Sequence, residues 1–197
     1  MVVIALDTNF VTPRILHGGK RSNQEINLLD RLLFLETKGK IKISFPKTTQ
    51  AEVYAILRAG RMKFKSKRTG KKEHKKLSHS TIMTFVHRYK GLFDVEFMDS
   101  LSKVSGLDNT ETYKEALFTE IKYHLNMGIE QQAEYLENRN IDMNGCKDPY
   151  DYYIMVSSVQ DSADYLVTNN PKDFPNPLGE CRVISDKELY DVLPVYP

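Results

Sequence analysis

The chain has 197 residues, of which 41% are hydrophobic and 27% charged, enough apolar material for the core of one domain. Its two cysteines, Cys146 and Cys181, lie far apart and form no CxxC pattern, which disfavours a disulfide framework or a zinc knuckle. No apolar run approaches the ~20 residues that span a bilayer, and the first residues lack the basic region of a signal peptide, so we expect a soluble, cytoplasmic protein without membrane contact.

Positive charge is concentrated in one stretch of the chain. Ten of the 28 Lys and Arg lie between Arg58 and Lys76, where the single acid is Glu73. Outside this stretch 18 basic residues stand against 25 acidic ones, a balance of −7. Two interpretations follow: a solvated basic loop over 58–79, or a segment that binds the phosphates of RNA and releases them as salt rises. The residues concerned are Arg58, Arg61, Lys63, Lys65, Lys67, Arg68, Lys71, Lys72, Lys75 and Lys76.

The first part of the chain predicts strands that alternate with helices. Val2–Leu6 is a continuous apolar run, typical of a strand buried on both faces, and it ends at Asp7. A helix that stops before Gly39 is predicted next, followed by a second strand over Ile41–Phe45.

A third helix is predicted to begin at a capping box. The spacing Thr49-x-x-Glu52 matches this motif, in which the glutamate side chain binds the backbone at the helix start. The motif gives Glu52 a structural role that competes with a functional one.

The centre of the chain predicts helices without evident chemistry. Helical spacing of apolar residues occurs over Ser80–Tyr89, Thr110–Asn126 and Glu130–Leu136. We therefore expect one domain over 1–197 that carries a helical elaboration at about 99–145.

A helix and a buried strand, with polar residues at both ends, are predicted near the end of the chain. Asp148 directly precedes Pro149, an order that suits the N-cap and first position of a helix. On such a helix Asp148 and Asp151 are three residues apart and share one face. The apolar run Ala163–Val167 predicts the strand. A last strand and a terminal helix are predicted over Cys181–Ile184 and Asp186–Leu193.

Acidic residues follow strands or open helices at four places in this pattern. Right-handed crossovers put the carboxyl ends of parallel strands on one edge of a sheet, where ligands bind. Carboxylates gathered there repel one another unless a cation lies among them, and Mg²⁺ or Mn²⁺ prefers such oxygen ligands. Each acid also has a structural alternative, as a cap or a turn residue. The candidate acids are Asp7, Glu52, Asp148, Asp151 and Asp173, with Asn170 as a further ligand and Asn9 and Thr168 as supporting residues.

In the order of its motifs the chain resembles the PIN-domain family of metal-dependent ribonucleases. The motifs are Leu6-Asp7-Thr8-Asn9, Thr49-x-x-Glu52, Asp148-Pro-x-Asp151 and Ala163-Asp-Tyr-Leu-Val-Thr-Asn-Asn-Pro-Lys-Asp-Phe174. The resemblance implies a three-layer α/β/α fold with a central parallel sheet, here with a helical and basic insertion. It also implies hydrolysis of RNA by a water activated on Mg²⁺ or Mn²⁺.

The same resemblance implies roles for individual residues. Asp7, Glu52 and one of Asp148 and Asp151 match the first three acids of the family. The usual Thr-x-Asp is here Thr168-Asn169-Asn170, so Asn170 or Asp173 takes the fourth position.

The family includes the VapC-like toxins of toxin–antitoxin pairs as well as RNA-processing nucleases, and each group implies different partners. A toxin would bind an antitoxin or another inhibitory protein, and homodimers are common in the family. One alternative is a catalytically degenerate RNA-binding module on the same fold. Another is that the basic stretch docks an acidic protein partner. A haloacid-dehalogenase-like phosphatase is disfavoured because it needs a second acid where this chain has Asn9.

Overall fold

The computed structural model gives an α/β fold built on one parallel sheet. It describes residues 1–17, 28–59, 63–65, 72–74, 76–93, 127–144, 146, 148–149 and 151–193. The helix predicted over Thr110–Asn126 lies outside these residues. The elements in chain order are β1 (Val2–Leu6), α1 (Thr8–His17), α2 (Leu28–Thr37), β2 (Ile41–Ser44), α3 (Lys47–Ala59), β3 (Lys63–Lys65), β4 (Lys72–His74), α4 (His79–Arg88), α5 (Ile129–Glu137), α6 (Asp151–Gln160), β5 (Tyr165–Val167), a 3₁₀ helix (Pro171–Asp173), β6 (Arg182–Ile184) and α7 (Asp186–Val192).

The four strands β2, β1, β5 and β6 lie side by side in that order, and all are parallel. Two backbone bonds continue the pairing just past the strand ends: Asp7 N–H donates to the Val167 carbonyl and Thr168 N–H to that of Ile184, each at 3.0 Å. The residues that follow β1 and β5 are therefore held at the same edge of the sheet. This is the edge at which parallel sheets bind ligands.

Side chains alternate between two hydrophobic clusters along the central strand. Ile4 and Leu6 are fully buried in a cluster that also contains residues of α1, α2, α3, α4 and α7. Ala5 belongs to a second cluster with Leu166, Val183 and residues of α5 and α6. Because successive side chains of a strand point to opposite faces, the two clusters cover the two faces of the sheet. The predicted α/β class and parallel sheet are confirmed, and the layering is consistent with a three-layer arrangement.

Helix α1 is an element that the sequence pattern does not predict. It begins directly after Asp7, whose carbonyl accepts the backbone N–H groups of Phe10 and Val11 at 3.1 Å. Phe10 and Val11 are fully buried, and Pro13 lies within the helix. Asp7 is therefore placed at the junction of a buried strand and a buried helix.

The basic stretch also differs from its prediction as a loop. Strands β3 and β4 form an antiparallel ribbon, with Lys63 opposite His74 and Lys65 opposite Lys72. The predicted helix over Ser80–Tyr89 is confirmed as α4, and the N-cap hydroxyl of Ser78 accepts the Thr81 N–H at 3.2 Å. None of the described helices is long and apolar enough to cross a membrane.

Candidate metal centre

Asp7 is the most deeply buried acid of the candidate site, with 3% of its surface exposed. Thr168 Oγ1 donates a hydrogen bond of 2.6 Å to Asp7 Oδ2, and backbone N–H groups of Asn9 and Thr8 also bind the carboxylate. Burial raises the pKa of Asp7 to about 6, with a smaller contribution from the charge of Asp173, although the hydrogen bonds oppose this rise. Near neutral pH a positive charge beside Asp7 would therefore stabilise the ionised form of its carboxylate.

Glu52 projects toward Asp7 from α3. Thr8 Oγ1 donates a hydrogen bond of 2.5 Å to Glu52 Oε2, which ties α3 to the first turn of α1. The pKa of Glu52 is raised to about 8, chiefly by burial and to a smaller extent by the charges of Asp7, Asp151 and Asp148. Without a neighbouring cation, Glu52 is mostly protonated at pH 7.

The predicted capping box around Glu52 is wrong. Helix α3 begins at Lys47, so Thr49 lies inside its first turn rather than before it. The glutamate side chain bonds to Thr8, 44 residues away in the sequence, and not to the start of its own helix. Glu52 therefore does not have the capping role that competed with a functional one.

Asp148 and Asp151 both reach the same region, but not as two positions on one helix. Helix α6 begins at Asp151, whose N–H donates to the Asp148 carbonyl at 2.9 Å, so Asp148 lies just before the helix. The pKa of Asp151 is raised to about 7 by burial and by the charges of Asp7, Asp148 and Asp173. Asp148 is exposed, whereas Asp151 is partly buried. Asp151 is the stronger candidate for the third ligand on this ground.

At the fourth position the structure separates Asn170 from Asp173. Asp173 ends the short 3₁₀ helix, and its charge raises the pKa of both Asp7 and Asp151. Asn170 is exposed, and its backbone N–H donates to Thr168 Oγ1 at 3.0 Å. Asp173 is therefore the acid that acts electrostatically on the cluster, while Asn170 closes the turn that orients Thr168.

Charge interactions thus connect the five predicted acids, since Asp173 acts on Asp7 and Asp151, and Asp148 acts on Glu52 and Asp151. We found no match for the chain among family models, curated proteins or solved structures. The resemblance to PIN-domain nucleases therefore stays an expectation. Function has to be argued from the geometry of these acids.

The donor chemistry of this cluster fits a hard divalent cation. Its ligands would be carboxylate oxygens, which Mg²⁺ and Mn²⁺ prefer. The fully buried Thr49 hydroxyl, three residues before Glu52 and so on the same side of α3, has no hydrogen-bond partner among the described residues. Among those residues no group of three or more His, Cys, Asp and Glu already has an arrangement that could hold an ion. The charge of a cation site is present, whereas its coordination geometry is not preformed.

A second set of polar side chains holds the loop after β5 against α1. Asn9 accepts the Asn169 N–H through Oδ1 at 2.9 Å, and its backbone carbonyl accepts Asn169 Nδ2 at 2.6 Å. Arg14 Nη2 binds Asp186 Oδ2 at 2.8 Å, and Nη1 lies 3.4 Å from Asn169 Oδ1. Asn9 had a predicted supporting role, but Asn169, Arg14 and Asp186 were missed. Their partners are 155 to 172 residues away in sequence, so no local signal marks them.

Cys146 lies beside the acids as well. Its thiol donates to the Asp148 carbonyl at 3.4 Å, and burial together with the charges of Asp151, Asp148 and Asp173 raises its pKa to about 11. The thiol is thus protonated at neutral pH and is a poor metal ligand. Both cysteines are free, in agreement with the expectation of no disulfide.

The predicted RNA-binding residues are only partly placed by the structure. Arg58 Nη1 donates to the Leu77 carbonyl at 3.3 Å, and Lys76 is exposed. Lys63, Lys65 and Lys72 belong to the ribbon strands. Arg61, Lys67, Arg68, Lys71 and Lys75 lie outside the described residues.

Proposed function

We propose that this protein is a metal-dependent endoribonuclease that hydrolyses the phosphodiester bonds of RNA. One observation carries the proposal: several acids meet at the carboxyl edge of a parallel sheet, and burial raises the pKa of three of them to about 6, 7 and 8. A fold that only needed polar residues there would gain nothing from carboxylates that resist ionisation. Strongly raised pKa values in one crevice are typical of functional sites.

In this proposal Asp7, Glu52, Asp151 and Asp173 hold Mg²⁺ or Mn²⁺, with Asp148 at the exposed rim. When bound, such an ion lowers the pKa of a coordinated water and stabilises charge on phosphoryl oxygens. The chain's own contribution is to fix the acids. Thr168 holds Asp7 through its hydroxyl, and Thr8 holds Glu52 in the same way.

The basic stretch supports a polyphosphate substrate, and the choice of RNA follows the resemblance to PIN-domain nucleases. An acidic site repels a polyphosphate, so a nuclease needs cationic groups elsewhere that hold the substrate backbone. Ten Lys and Arg within 19 residues supply that charge in a chain whose remainder is acidic. The proposal needs neither an inhibitory protein partner nor a homodimer, and both stay expectations from the resemblance.

Metal-dependent cleavage by matched variants tests the proposal. Wild type, Asp7→Asn and Asp191→Asn would be incubated with a mixed pool of single-stranded and structured RNAs in Mn²⁺, Mg²⁺ or EDTA. Asp191 is an exposed acid on α7, so its substitution makes the same chemical change outside the cluster. We expect cleavage by wild type and Asp191→Asn with metal, none in EDTA, and a loss of at least about a hundredfold in Asp7→Asn.

Folding and RNA binding are measured on the same samples. Asp7→Asn removes a buried charge that burial disfavours, so the variant should fold, as checked by thermal melting. Wild type that binds RNA but cleaves none in any metal would overturn the nuclease proposal in favour of the RNA-binding module. Equal cleavage by wild type and Asp7→Asn would overturn the assigned site.

A further inference from the structure

The β3–β4 ribbon sorts its charged positions by face. In an antiparallel pair, directly opposite residues share a face, and residues two apart along a strand share it too. The register pairs Lys63 with His74 and Lys65 with Lys72, which places these four positions on one face. Phe64 is paired with Glu73 on the other. Three lysines and a histidine thus share one face of a six-residue ribbon, while its one acid and its one apolar residue lie on the opposite face.

Folding alone does not account for this arrangement. Like charges directly opposite each other destabilise a strand pair, and Lys65 stands directly opposite Lys72. If Lys72 and Glu73 were exchanged, the glutamate would stand opposite Lys65 and the two would form an attractive pair. The register therefore concentrates positive charge on one face of the ribbon, which favours the binding of an anion there.

The residue Leu77, three positions after the ribbon, is bonded to the helix that carries Glu52. Leu77 N–H donates to the Leu57 carbonyl at 3.2 Å, and Arg58 donates to the Leu77 carbonyl, so the chain leaves and rejoins α3 at one place. A hydrogen bond of 2.7 Å joins Tyr54 Oη and His79 Nδ1 below it. Glu52 and Leu57 are five residues apart on α3, a rise of about 7.5 Å. The segment that follows the ribbon is thus bonded to the helix that carries Glu52.

We propose that the face of the β3–β4 ribbon formed by Lys63, Lys65, Lys72 and His74 binds the phosphate backbone of an RNA strand. The identification of the polyanion as RNA rests on the proposed nuclease function. The opposite face, with Phe64 and Glu73, takes no part in this contact. Binding depends on the position of the cations, not only on their number.

The test compares two double variants that remove the same charge. Lys65→Gln/Lys72→Gln alters the ribbon face, and Lys38→Gln/Lys40→Gln alters two exposed lysines between α2 and β2. The probe is a fluorescein-labelled, unstructured 30-nucleotide RNA, and its Kd is measured in EDTA by anisotropy over a series of salt concentrations. EDTA prevents metal-dependent cleavage, so binding is read independently of the nuclease activity.

We expect the ribbon variant to bind about tenfold more weakly than the control variant at low salt. The slope of log K against log salt should flatten by about 1.4, because each phosphate contact with a single strand contributes about 0.7. The melting temperature of the free ribbon variant should not fall below that of wild type, since a repulsive pair has been removed.

Equal affinity and equal slope in the two double variants would overturn the inference and leave this face to a protein partner. A melting temperature well below that of wild type would overturn the claim that the lysine pair is locally repulsive. The nuclease proposal fails separately. If RNA binding depends on the ribbon but the wild type cleaves no RNA, the binding inference stands and the nuclease proposal is rejected. If the wild type cleaves RNA but binding does not depend on the ribbon, the nuclease proposal stands and the binding inference is rejected.

Discussion

The acidic edge and the basic ribbon carry opposite charges and are built in opposite ways. The acids sit on elements of the main core, and the protein raises the pKa of Asp7, Glu52 and Asp151 toward or past neutrality by burying them. Three of the lysines sit on the small two-stranded ribbon β3–β4, outside the parallel sheet. Buried carboxylates respond to pH and to cations, whereas surface cations respond mainly to salt.

This difference separates what each region can do alone. An ion bound among the acids would displace protons and relieve repulsion, so its affinity is coupled to protonation. The positive charge that the lysines contribute to the ribbon is instead screened by salt. Perturbations of pH and of salt should therefore act on different functions of the protein.

Glu52→Gln should abolish the effect of metal without harming the fold. The amide keeps the shape of the side chain and an acceptor for the Thr8 hydroxyl, but it removes the charge. Stabilisation of wild type by Mn²⁺ at 100 times its Kd should be about 2.7 kcal/mol, and most of this should disappear in the variant. Metal-dependent cleavage should fall by about a hundredfold or more. Melting with Mn²⁺ and with EDTA measures the first effect.

The matched control is Glu137→Gln, an exposed residue at the end of α5. It should show the wild-type response to Mn²⁺. A Glu52→Gln protein that retains the full response would show that Glu52 is not a ligand.

Metal-free protein should become less stable as pH rises from about 4 to 8. Raised folded-state pKa values, about 6 for Asp7, 7 for Asp151 and 8 for Glu52, mean that the folded state holds more protons than the unfolded chain in this window. The free energy of unfolding then falls as pH rises, by about 1.4 kcal/mol per pH unit for each proton that the folded state holds in excess. Urea unfolding in EDTA at pH 5, 6.5 and 8 measures this slope.

Mn²⁺ should flatten that slope, because the cation replaces the protons. Glu52→Gln should also flatten it in EDTA, which assigns the effect to this carboxyl. A metal-free stability that rises steadily between pH 5 and 8 is incompatible with buried, mutually repelling acids.

The sequence predicts those parts of the fold that local physics determines. Val2–Leu6 is apolar at every position because it is buried on both faces, so it is recognisable as a central strand. Helix α4 is recognisable because its apolar residues recur at helical spacing within its own segment. The five acids were predicted to converge because crossovers between parallel strands leave little choice of edge.

Other features depend on distant residues and leave no local pattern. The capping box at Thr49 fails because Thr8, far away in the chain, takes the Glu52 side chain. The ribbon has one apolar residue, Phe64, among its six strand positions, so no hydrophobic alternation indicates a strand. Arg14 joins α1, the loop after β5 and α7 through contacts that only the folded chain brings together.

Thr168→Val should destabilise the acidic edge selectively. The substitution keeps the volume and removes the hydroxyl that donates to Asp7 and accepts the Asn170 N–H. Leaving buried polar groups without a partner costs about 1–3 kcal/mol. Urea unfolding measures the loss. Thr84→Val is the control, since that hydroxyl is exposed and bonds only the Ser80 carbonyl in the described contacts. Equal losses of stability in both variants would show that the Thr168 hydroxyl contributes no more than an exposed hydroxyl does.

Tyr54→Phe should have the smallest effect and should affect the other region. Tyr54 is buried with 1% exposure, and its hydroxyl bonds His79 at the start of α4, after the ribbon, so its loss should cost about 1 kcal/mol of stability. Tyr54 follows Glu52 by two residues on α3, and residues at that spacing do not face each other. RNA affinity in EDTA should therefore fall slightly while stabilisation by Mn²⁺ stays at the wild-type value.

Tyr190→Phe, which removes a hydroxyl from an exposed side chain, should change neither. A reduced Mn²⁺ response in Tyr54→Phe would mean that α3 transmits strain from the ribbon to Glu52, and that the two charged regions are one functional unit.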